Sequence, residues 1–256
     1  MEKGNSLLFS NLYINKVSIA REIPEGNYLK ELSVVKFLEQ TQGLHFTKPV
    51  TFLVGENGVG KSTLIEGIAV ACGFNPEGGT INFNFSTKAS HSDLHNYLTI
   101  SRSYKKHRDG FFLRAESFYN VASNIDDMDA VKSIGASVIN SYGGVSLHKQ
   151  SHGESFMSLV ENRFGGNGLY ILDEPEAALS PMRLMRLMCY VQQLVGMNSQ
   201  FIISTHSPIL MTFPNAEILE ITEDGIKSVD YKDTEHFLIT KRFMDAPEKM
   251  IESLLE

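Results

Sequence analysis

The sequence predicts an α/β protein in which a mixed β-sheet is flanked by helices. Short runs of continuously apolar residues, at 50–54, 169–172 and 201–204, have the composition of buried parallel strands. The first two runs are each followed by a segment of helical composition, at 63–72 and at 181–195. Strands followed by helices along the chain are typical of sheets whose connecting helices pack on their faces.

The composition is that of a globular protein with room for one large domain. The chain has 256 residues, of which 42% are hydrophobic and 21% charged. The formal net charge of −7 gives no support for a protein whose whole surface binds nucleic acid, although a local basic patch stays open. Cys72 and Cys189 have no paired spacing, which favours reduced thiols in a cytoplasmic protein. We expect neither a signal peptide nor a membrane-spanning segment.

The N-terminal part is predicted to lead from an antiparallel region into a glycine-rich loop. Residues 12–19 alternate between apolar and polar side chains and predict a strand, whereas residues 32–42 fit either a short strand or a helix. The loop follows the buried strand at 50–54 and precedes the helix at 63–72. Its residues are Gly55, Glu56, Asn57, Gly58, Val59, Gly60, Lys61, Ser62 and Thr63.

This loop has the pattern of a phosphate-binding loop, in which two glycines flank four residues and are followed by Lys and Ser. Glycines let backbone N–H groups turn towards phosphate oxygens, and the start of the helix adds further donors and the positive end of its dipole. We expect Lys61 to reach the β- and γ-phosphates of a nucleotide and the Ser62 hydroxyl to bind Mg²⁺. The loop therefore predicts a nucleotide and Mg²⁺ as ligands.

The middle of the chain is predicted to form a lobe inserted into the nucleotide-binding core. A short strand at 81–85 precedes this lobe, whose elements are strands at 98–103 and 111–115 and a helix in pieces at 117–139. Asp109 and Gly110 favour a tight hairpin turn between the last two strands. The basic cluster at 105–108 fits a solvated hairpin tip, and it also fits contact with the phosphates of a nucleic acid.

A second motif begins a predicted helix at 151–164, whose first residues are Ser151, His152, Gly153 and Glu154. The Ser151 hydroxyl and the backbone N–H of Gly153 would form a second anion site at the start of that helix. One chain has no second nucleotide to fill it, so we expect the site to serve the nucleotide of a neighbouring subunit. The simpler interpretation is an N-cap at Ser151 with Glu154 closing a capping box, and both can hold at once.

Two further strands end in polar residues that suit nucleotide hydrolysis. The strand at 169–172 is followed by Asp173 and Glu174, and ligands gather at the carboxyl ends of parallel strands. We expect Asp173 to hold Mg²⁺, directly or through water, and Glu174 to polarise the attacking water. The strand at 201–204 leads to His206, which can hydrogen-bond the γ-phosphate or orient water. Glu174, His206 and Lys61 are therefore the expected catalytic residues.

The remaining C-terminal segments are predicted to be a helix, a hairpin and two terminal helices. Ser180 and Pro181 have the residue types of an N-cap and a first helical position. The methionines of that helix are expected to fill core space. A second hairpin is predicted from strands at 218–221 and 226–229, and the terminal helices at 237–243 and 247–255.

Taken together, these motifs occur in the order of those of ABC-type ATPases, and the chain resembles a compact prokaryotic AAA-family ATPase. The motifs lie at 55–63, 151–154, 173–176, 178–181 and 204–206. The chain is similar to the nucleotide-binding heads of RecF, Rad50 and SMC proteins and to OLD-family ATPases. The resemblance implies a P-loop NTPase fold with an ABC-like mixed sheet, an antiparallel β part and an inserted helical lobe.

The same resemblance implies one domain over residues 1–256, with a core lobe at about 1–85 and 165–256. The inserted lobe, at about 86–164, would carry the signature motif. It further implies a homodimer that closes head-to-tail around two ATP molecules, in which Ser151 and Gly153 contact the γ-phosphate across the interface. Leu179 and Ser180 would lie in the D-loop of such families.

The chain also departs from the family pattern. The signature reads Ser-His-Gly-Glu instead of Ser-Gly-Gly-Gln. No glutamine occurs between Lys61 and Gln150, so the glutamine of the family's Q-loop is missing. Glu116 is the nearest substitute as a metal ligand, and Arg114 is another polar residue of the same strand. The aromatic residues considered for stacking on adenine are Tyr13, Tyr28 and Phe46.

The function expected from the sequence is Mg²⁺-dependent binding and hydrolysis of ATP by a cytoplasmic ATPase that drives or gates a protein partner, in DNA repair or defence. One alternative is the nucleotide-binding subunit of a membrane transporter. A second is a nucleotide-gated interaction module with slow turnover. A third, the binding of DNA ends, depends on the resemblance and on the basic cluster at 105–108.

Overall fold

The computed structural model describes residues 12–83, 91–130 and 138–255. The strands of these ranges are β1 (Ile14–Ile19), β2 (Leu44–His45), β3 (Val50–Gly55), β4 (Leu98–Arg102), β5 (Asp109–Arg114), β6 (Gly168–Asp173), β7 (Gln200–Ser204), β8 (Glu217–Thr222) and β9 (Gly225–Ser228). The α-helices are α1 (Ser33–Gln40), α2 (Lys61–Ala71), α3 (Phe118–Ala130), α4 (His152–Arg163), α5 (Pro181–Gly196), α6 (Pro208–Met211), α7 (Glu235–Asp245) and α8 (Pro247–Leu255).

The main sheet is mixed, as the sequence predicted. Within the described residues its strand order is β5-β6-β7-β3-β8-β9. The first five strands run parallel to one another, and β9 pairs with β8 in the antiparallel direction. Strands β3, β6 and β7 are buried along their whole length, which explains why their sequences are continuously apolar. The predicted C-terminal hairpin is therefore confirmed as β8–β9.

A smaller antiparallel sheet is formed by the N-terminal part of the chain. Its order is β2-β1-β4, and β1 pairs with both neighbours in the antiparallel direction. The segment at 32–42, for which strand and helix were both open, contains helix α1. This helix buries Val34, Val35 and Leu38, which lie on one face of a helical turn.

Two hydrophobic clusters cover opposite faces of the main sheet. Because side chains alternate along a strand, the neighbours Phe111 and Phe112 belong to different clusters. One cluster joins the sheet to α3, α4 and α5 and contains Phe118 and Phe156. The other joins it to α1, α2 and the small sheet. The main sheet is therefore a central layer between two layers of other elements.

The predicted hairpin between β4 and β5 is wrong, because the two strands belong to different sheets. Strand β4 pairs with β1, whereas β5 is parallel to β6 at an edge of the main sheet. Gly110 is needed there for a close approach and not for a turn. A Cβ atom at Gly110 would lie 2.8 Å from Phe74 Cζ and 3.0 Å from the Leu169 carbonyl oxygen. The basic cluster at 105–108 consequently lies in a link between two sheets and not on a hairpin tip.

The hydroxyl of Tyr170, in β6, is hydrogen-bonded to Asp109, the first residue of β5, and this contact is expected to stabilise the fold. Tyr170, whose ring is fully buried, donates a hydrogen bond to Asp109 Oδ2 over 2.7 Å. It also accepts hydrogen bonds from the backbone N–H groups of Gly165 (3.0 Å) and Gly166 (3.2 Å). Tyr170→Phe removes these bonds inside the protein, so we expect the free energy of unfolding to fall by about 1–3 kcal/mol. Urea unfolding measures the change.

Tyr104→Phe is the matched control, because the Tyr104 side chain is 73% exposed. Its free energy of unfolding is expected to stay within about 0.5 kcal/mol of that of the parent protein. An equal loss in both variants would show that the buried hydroxyl network does not stabilise the fold.

Three further expectations are corrected. Ile81 to Phe83 form a turn and not a strand, and residues 84 and 85 of that predicted strand lie outside the described residues. The first methionines of α5 do not fill the core, since Met182 is 74% and Met185 45% exposed. Strand β5 falls inside the range 86–164 expected for the inserted lobe, yet it belongs to the main sheet. In the described part of that range, the α-helices, which lie outside the sheet itself, are α3 and α4.

The C-terminal helices α7 and α8 occupy the segments predicted for them. Among the described residues, none of the helices combines the length and the apolar character needed to cross a membrane.

Candidate functional site

Three neighbouring parallel strands bring the sequence motifs to one edge of the main sheet. Strand β3 leads into the glycine-rich loop, β6 ends at Asp173, and β7 ends at Ser204, two residues before His206. Strand β7 lies between the other two, with Ser204 in register with both Leu53 and Asp173. The carboxyl ends of these strands therefore meet, which is where ligands bind in open α/β sheets.

The glycine-rich loop has the conformation that its glycines predict. Gly58 (φ +88°) and Gly60 (φ +97°) occupy the left-handed region, which side chains with a Cβ atom rarely adopt. At Gly55 a Cβ atom would lie 2.2 Å from the backbone oxygen of Ile221, so only glycine fits against β8. The loop then enters α2 at Lys61. Its backbone is thus shaped by the lack of side chains at these positions.

Lys61 folds back over the loop that precedes it. Its Nζ atom donates hydrogen bonds to the carbonyl oxygens of Gly55 (2.8 Å) and Glu56 (2.6 Å), and the side chain is buried. Burial lowers the pKa of Lys61, while the carboxylates of Glu174 and Asp173 act in the opposite direction. The ammonium group is therefore held at the mouth of the loop with carboxylates nearby.

A cleft of about 220 Å³ opens over the loop and the first turn of α2. Lys61, Ser62 and Thr63 line one side of the cleft, and Glu174 lines it as well. Ser62 and Thr63 are half-buried, whereas Glu56 and Asn57 are exposed on the loop and Val59 is buried beneath it. The structure therefore brings six of the nine loop residues, Asn57, Gly58, Gly60, Lys61, Ser62 and Thr63, together with Glu174 around one open space.

Asp173 is buried, and both oxygens of its carboxylate have neighbours. Oδ1 accepts a hydrogen bond from Ser204 Oγ (2.5 Å), and Oδ2 lies 3.3 Å from Arg114 Nε. Burial raises the pKa of Asp173, and Ser204 and Arg114 counteract this effect. Arg114 Nη1 also pairs with Glu66 of α2, 2.5 Å away, so one guanidinium links α2 to the acidic strand.

Glu116, the expected substitute for the missing Q-loop glutamine, lies next to Arg114 and is largely exposed. Its Oε2 atom is 3.7 Å from Arg114 Nη2, and 85% of the side chain is accessible to solvent. Arg114, and not Glu116, is the residue of this segment whose side chain contacts the Asp173 carboxylate. The sequence identified Arg114 only as a polar residue of the strand, because its partners on α2 and β6 are distant along the chain.

Adjacent carboxylates diverge after β6, as strand geometry predicts. Asp173 turns inward, whereas Glu174 lines the cleft. Glu174 has a left-handed backbone (φ 49°, ψ 57°), which is uncommon for a residue with a side chain. Its backbone N–H donates to Ser204 Oγ (3.1 Å) and to the Ser204 carbonyl oxygen (3.2 Å). Ser204 therefore contacts both acidic residues, the side chain of Asp173 and the backbone of Glu174, and their carboxylates point in different directions.

His206 lies beside Glu174 and is in contact with a second histidine. His206 Nε2 is 3.4 Å from Glu174 Oε1, and His206 Nδ1 is 2.8 Å from Nε2 of His236 on α7. The backbone N–H of His206 donates to Glu176 Oε1. Burial, followed by electrostatic interaction with Lys61 and His236, lowers the pKa of His206 to about 4, so its ring is neutral near pH 7.

Ser151 and Gly153 are not among the described residues that line the cleft over the loop. Ser151 is the N-cap of α4, and Glu154 Oε2 accepts from both its backbone N–H (3.1 Å) and its hydroxyl (2.6 Å). The closing role expected for Glu154 is thus present. A Cβ atom at Gly153 would lie 2.4 Å from Arg183 Nη1 and 2.9 Å from the Ala178 carbonyl oxygen. Glycine is therefore required where α4 meets the segment before α5.

The donor set at the loop has the chemistry that Mg²⁺ requires. Mg²⁺ binds oxygen ligands and is commonly held by one or two carboxylates together with substrate phosphates. The Ser62 hydroxyl and the Asp173 carboxylate are such ligands, and each Asp173 oxygen keeps lone pairs beyond its present contact. Within the described residues, no group of three or more His, Cys, Asp or Glu side chains could hold a metal.

Comparison with protein families identifies two matches to AAA-domain models, which overlap at residues 148–151. A model described as an AAA domain matches residues 33–151. A second, described as "AAA domain, putative AbiEii toxin, Type IV TA system", matches residues 148–212. These ranges contain the loop, Ser151, the acidic strand and His206. No curated protein sequence matches the chain.

Solved structures with a similar fold include ABC transporter cassettes. CbiO1 of Clostridium perfringens, part of the ABC transporter complex cbiONQ, is 17% identical with a TM-score of 0.51, over 95% of this chain and 98% of that chain. A nucleotide-free ATP-binding cassette of an ABC transporter is 16% identical with a TM-score of 0.50, over 93% and 97%. An SMC head bound to the C-winged helix domain of ScpA is 14% identical with a TM-score of 0.48, over 85% and 97%. The two transporter cassettes confirm the expected fold.

Proposed function

We propose that this chain, which has the fold of an ABC-like, AAA-family P-loop ATPase, hydrolyses ATP with Mg²⁺. It would do so as a head-to-tail homodimer. The observation that carries the proposal is the meeting of Lys61, Glu174 and His206 at one edge of the main sheet. A phosphate-binding loop, a cation and a residue that positions the attacking water are recurring parts of enzymes that transfer phosphoryl groups to water, and a neutral imidazole can add a hydrogen bond to the phosphate. The reaction would be accelerated mainly by positioning and by stabilisation of charge.

Each residue of the cleft has a separate task in this proposal. The backbone N–H groups of residues 55–63 bind the phosphate oxygens, and Lys61 exchanges its two carbonyl partners for the β- and γ-phosphates. Glu174 accepts a hydrogen bond from the attacking water, and His206 donates one to the γ-phosphate. Ser62 and Asp173 would hold Mg²⁺, which supplies positive charge to the phosphates.

The signature residues complete the site from the second subunit. Ser151 is exposed at the start of α4 and does not line the cleft of its own chain. Backbone N–H groups at a helix N-terminus suit an anion, and the Ser151 hydroxyl would exchange its present acceptor, Glu154, for a phosphate of the partner subunit's ATP. We therefore assign Ser151 and Gly153 to the γ-phosphate of the ATP that the partner binds, with two ATP molecules per dimer.

The proposed role of the ATP cycle is to drive or gate a protein partner. The match of residues 148–212 to a model described as a putative AbiEii toxin of a type IV system favours defence among the processes considered. In that case turnover is slow and the ATP-bound dimer is the state that the partner recognises. The likeness to transporter cassettes concerns the fold alone, so a transporter subunit remains the alternative.

Release of phosphate from ATP by the purified protein tests the proposed activity. We expect release in the presence of Mg²⁺ and its loss when a chelator removes the ion. The ATP-dependent partner would be captured by a pull-down with and without ATP. A protein that neither binds nor hydrolyses ATP would contradict the proposal.

A further inference from the structure

A second histidine, supplied by the C-terminal helix α7, lies against His206. His236 is in the first turn of α7, 30 positions after His206, and the two ring centroids are 4.9 Å apart. The start of α7 is anchored, because the buried N-cap Thr234 donates through Oγ1 to the Tyr231 carbonyl oxygen and contacts Met211 Sδ. His236 therefore approaches His206 from a fixed position.

The contact between the rings specifies one hydrogen bond whose direction depends on the tautomer. His206 Nδ1 and His236 Nε2 are 2.8 Å apart, within ordinary hydrogen-bond distance. One of these nitrogens must donate and the other must accept, because two lone pairs at this distance repel each other. Since a neutral imidazole carries a single proton, the choice made at Nδ1 also decides whether Nε2 of His206 is protonated.

The surroundings of His206 Nε2 favour a proton on that atom. Nε2 is buried without a hydrogen-bond partner in the described part of the chain, and Oε1 of the Glu174 carboxylate lies 3.4 Å from it. A carboxylate has only acceptor atoms, so it attracts an N–H and repels a lone pair. With the proton on Nε2, Nδ1 is the acceptor, and His236 Nε2–H must be the donor.

We propose that His236 is a positioning residue that holds His206 in the tautomer protonated at Nε2. His206 then presents an N–H towards Glu174 and, on the basis of the proposed function, towards the terminal phosphate of ATP. The other tautomer would present a lone pair to both groups, each of which is negatively charged. His236 thus acts through His206 and makes α7 part of the site's support.

Nitrogen-15 NMR of the histidine rings tests the tautomer directly, because protonated and unprotonated ring nitrogens have well-separated chemical shifts. In the parent protein at pH 7 without nucleotide, we expect His206 to be protonated at Nε2. In His236→Ala, which removes the donor, we expect a substantial fraction of the other tautomer. In His236→Gln, whose amide N–H₂ has a similar reach, we expect the Nε2–H form to return. His45→Ala, at an exposed position of β2, is the control and should change nothing.

Hydrolysis of ATP supplies the second measurement. His236→Ala is expected to lower kcat by about tenfold or more with a smaller effect on KM, and His236→Gln to recover part of the loss. The proposal is overturned if His206 keeps the Nε2–H tautomer in His236→Ala or has the other tautomer in the parent protein. Because the NMR experiment needs no ATP, a protein without ATPase activity would refute the proposed function and leave the tautomer result standing.

Discussion

Glu174→Gln is expected to lower the rate of ATP hydrolysis by about 10²- to 10⁴-fold while ATP binding is retained. Glutamine has nearly the same shape as glutamate, but its neutral amide cannot take a proton from the attacking water. The backbone contacts that hold residue 174 involve its N–H and Ser204, so they are unaffected by the substitution. Loss of turnover with intact binding is therefore the signature of a residue that acts on water.

Phosphate release and calorimetric titration with ATP measure the two properties separately. Because the γ-phosphate is not removed, the dimer closed around ATP should accumulate and elute earlier in size-exclusion chromatography. Glu39→Gln, an exposed carboxylate at the end of α1, is the matched control and should hydrolyse ATP at the parent rate. Parent-like turnover by Glu174→Gln would remove Glu174 from the reaction.

Lys61→Ala is expected to raise the dissociation constant of ATP by about tenfold to a hundredfold. A hydrogen bond to a charged group contributes about 1.5–3 kcal/mol, and about 1.4 kcal/mol corresponds to a factor of ten in affinity. In the structure the ammonium group already lies at the loop mouth, bonded to Gly55 and Glu56, so it needs little rearrangement to reach phosphates. Calorimetric titration with ATP measures the dissociation constant.

The control for this variant is Lys36→Ala, which removes an exposed lysine of α1 and should bind ATP normally. Thermal unfolding without ATP shows whether Lys61→Ala still folds, since the substitution also removes two buried hydrogen bonds. An unchanged dissociation constant in a folded Lys61→Ala protein would contradict the assignment of the loop to phosphate binding.

Features that depend on neighbouring residues could be predicted from the sequence. The buried strands β3, β6 and β7 are marked by apolar runs, and the polar residues at their ends fall at one sheet edge because parallel strands share a direction. The glycine loop is recognisable because its conformation requires glycine at fixed positions. The capping interaction of Glu154 with Ser151 is equally local, spanning three residues.

Features that depend on tertiary contacts could not be predicted in this way. The Asp109-Gly110 pair has the local signature of a turn, but Asp109 is held by Arg163 and Tyr170, 54 and 61 positions away. Long-range hydrogen bonds outweighed a turn preference that is worth little by itself. His236 reaches the site only because α7 packs against α6, the helix that follows His206, and nothing in the sequence around residue 236 specifies that packing.

The central claim is that each ATP site is built from two copies of the chain, and mixing two inactive variants tests it most directly. Lys61→Ala damages the loop. Ser151→Asp keeps a good N-cap but places a negative charge where the partner's γ-phosphate would lie. Each variant alone is expected to lose hydrolysis. In an equal mixture, mixed dimers contain one site with both Lys61 and Ser151 intact, so activity should recover to about a quarter of the parent value when subunits pair at random. Full turnover by Ser151→Asp alone, or no recovery in the mixture, would contradict the composite site.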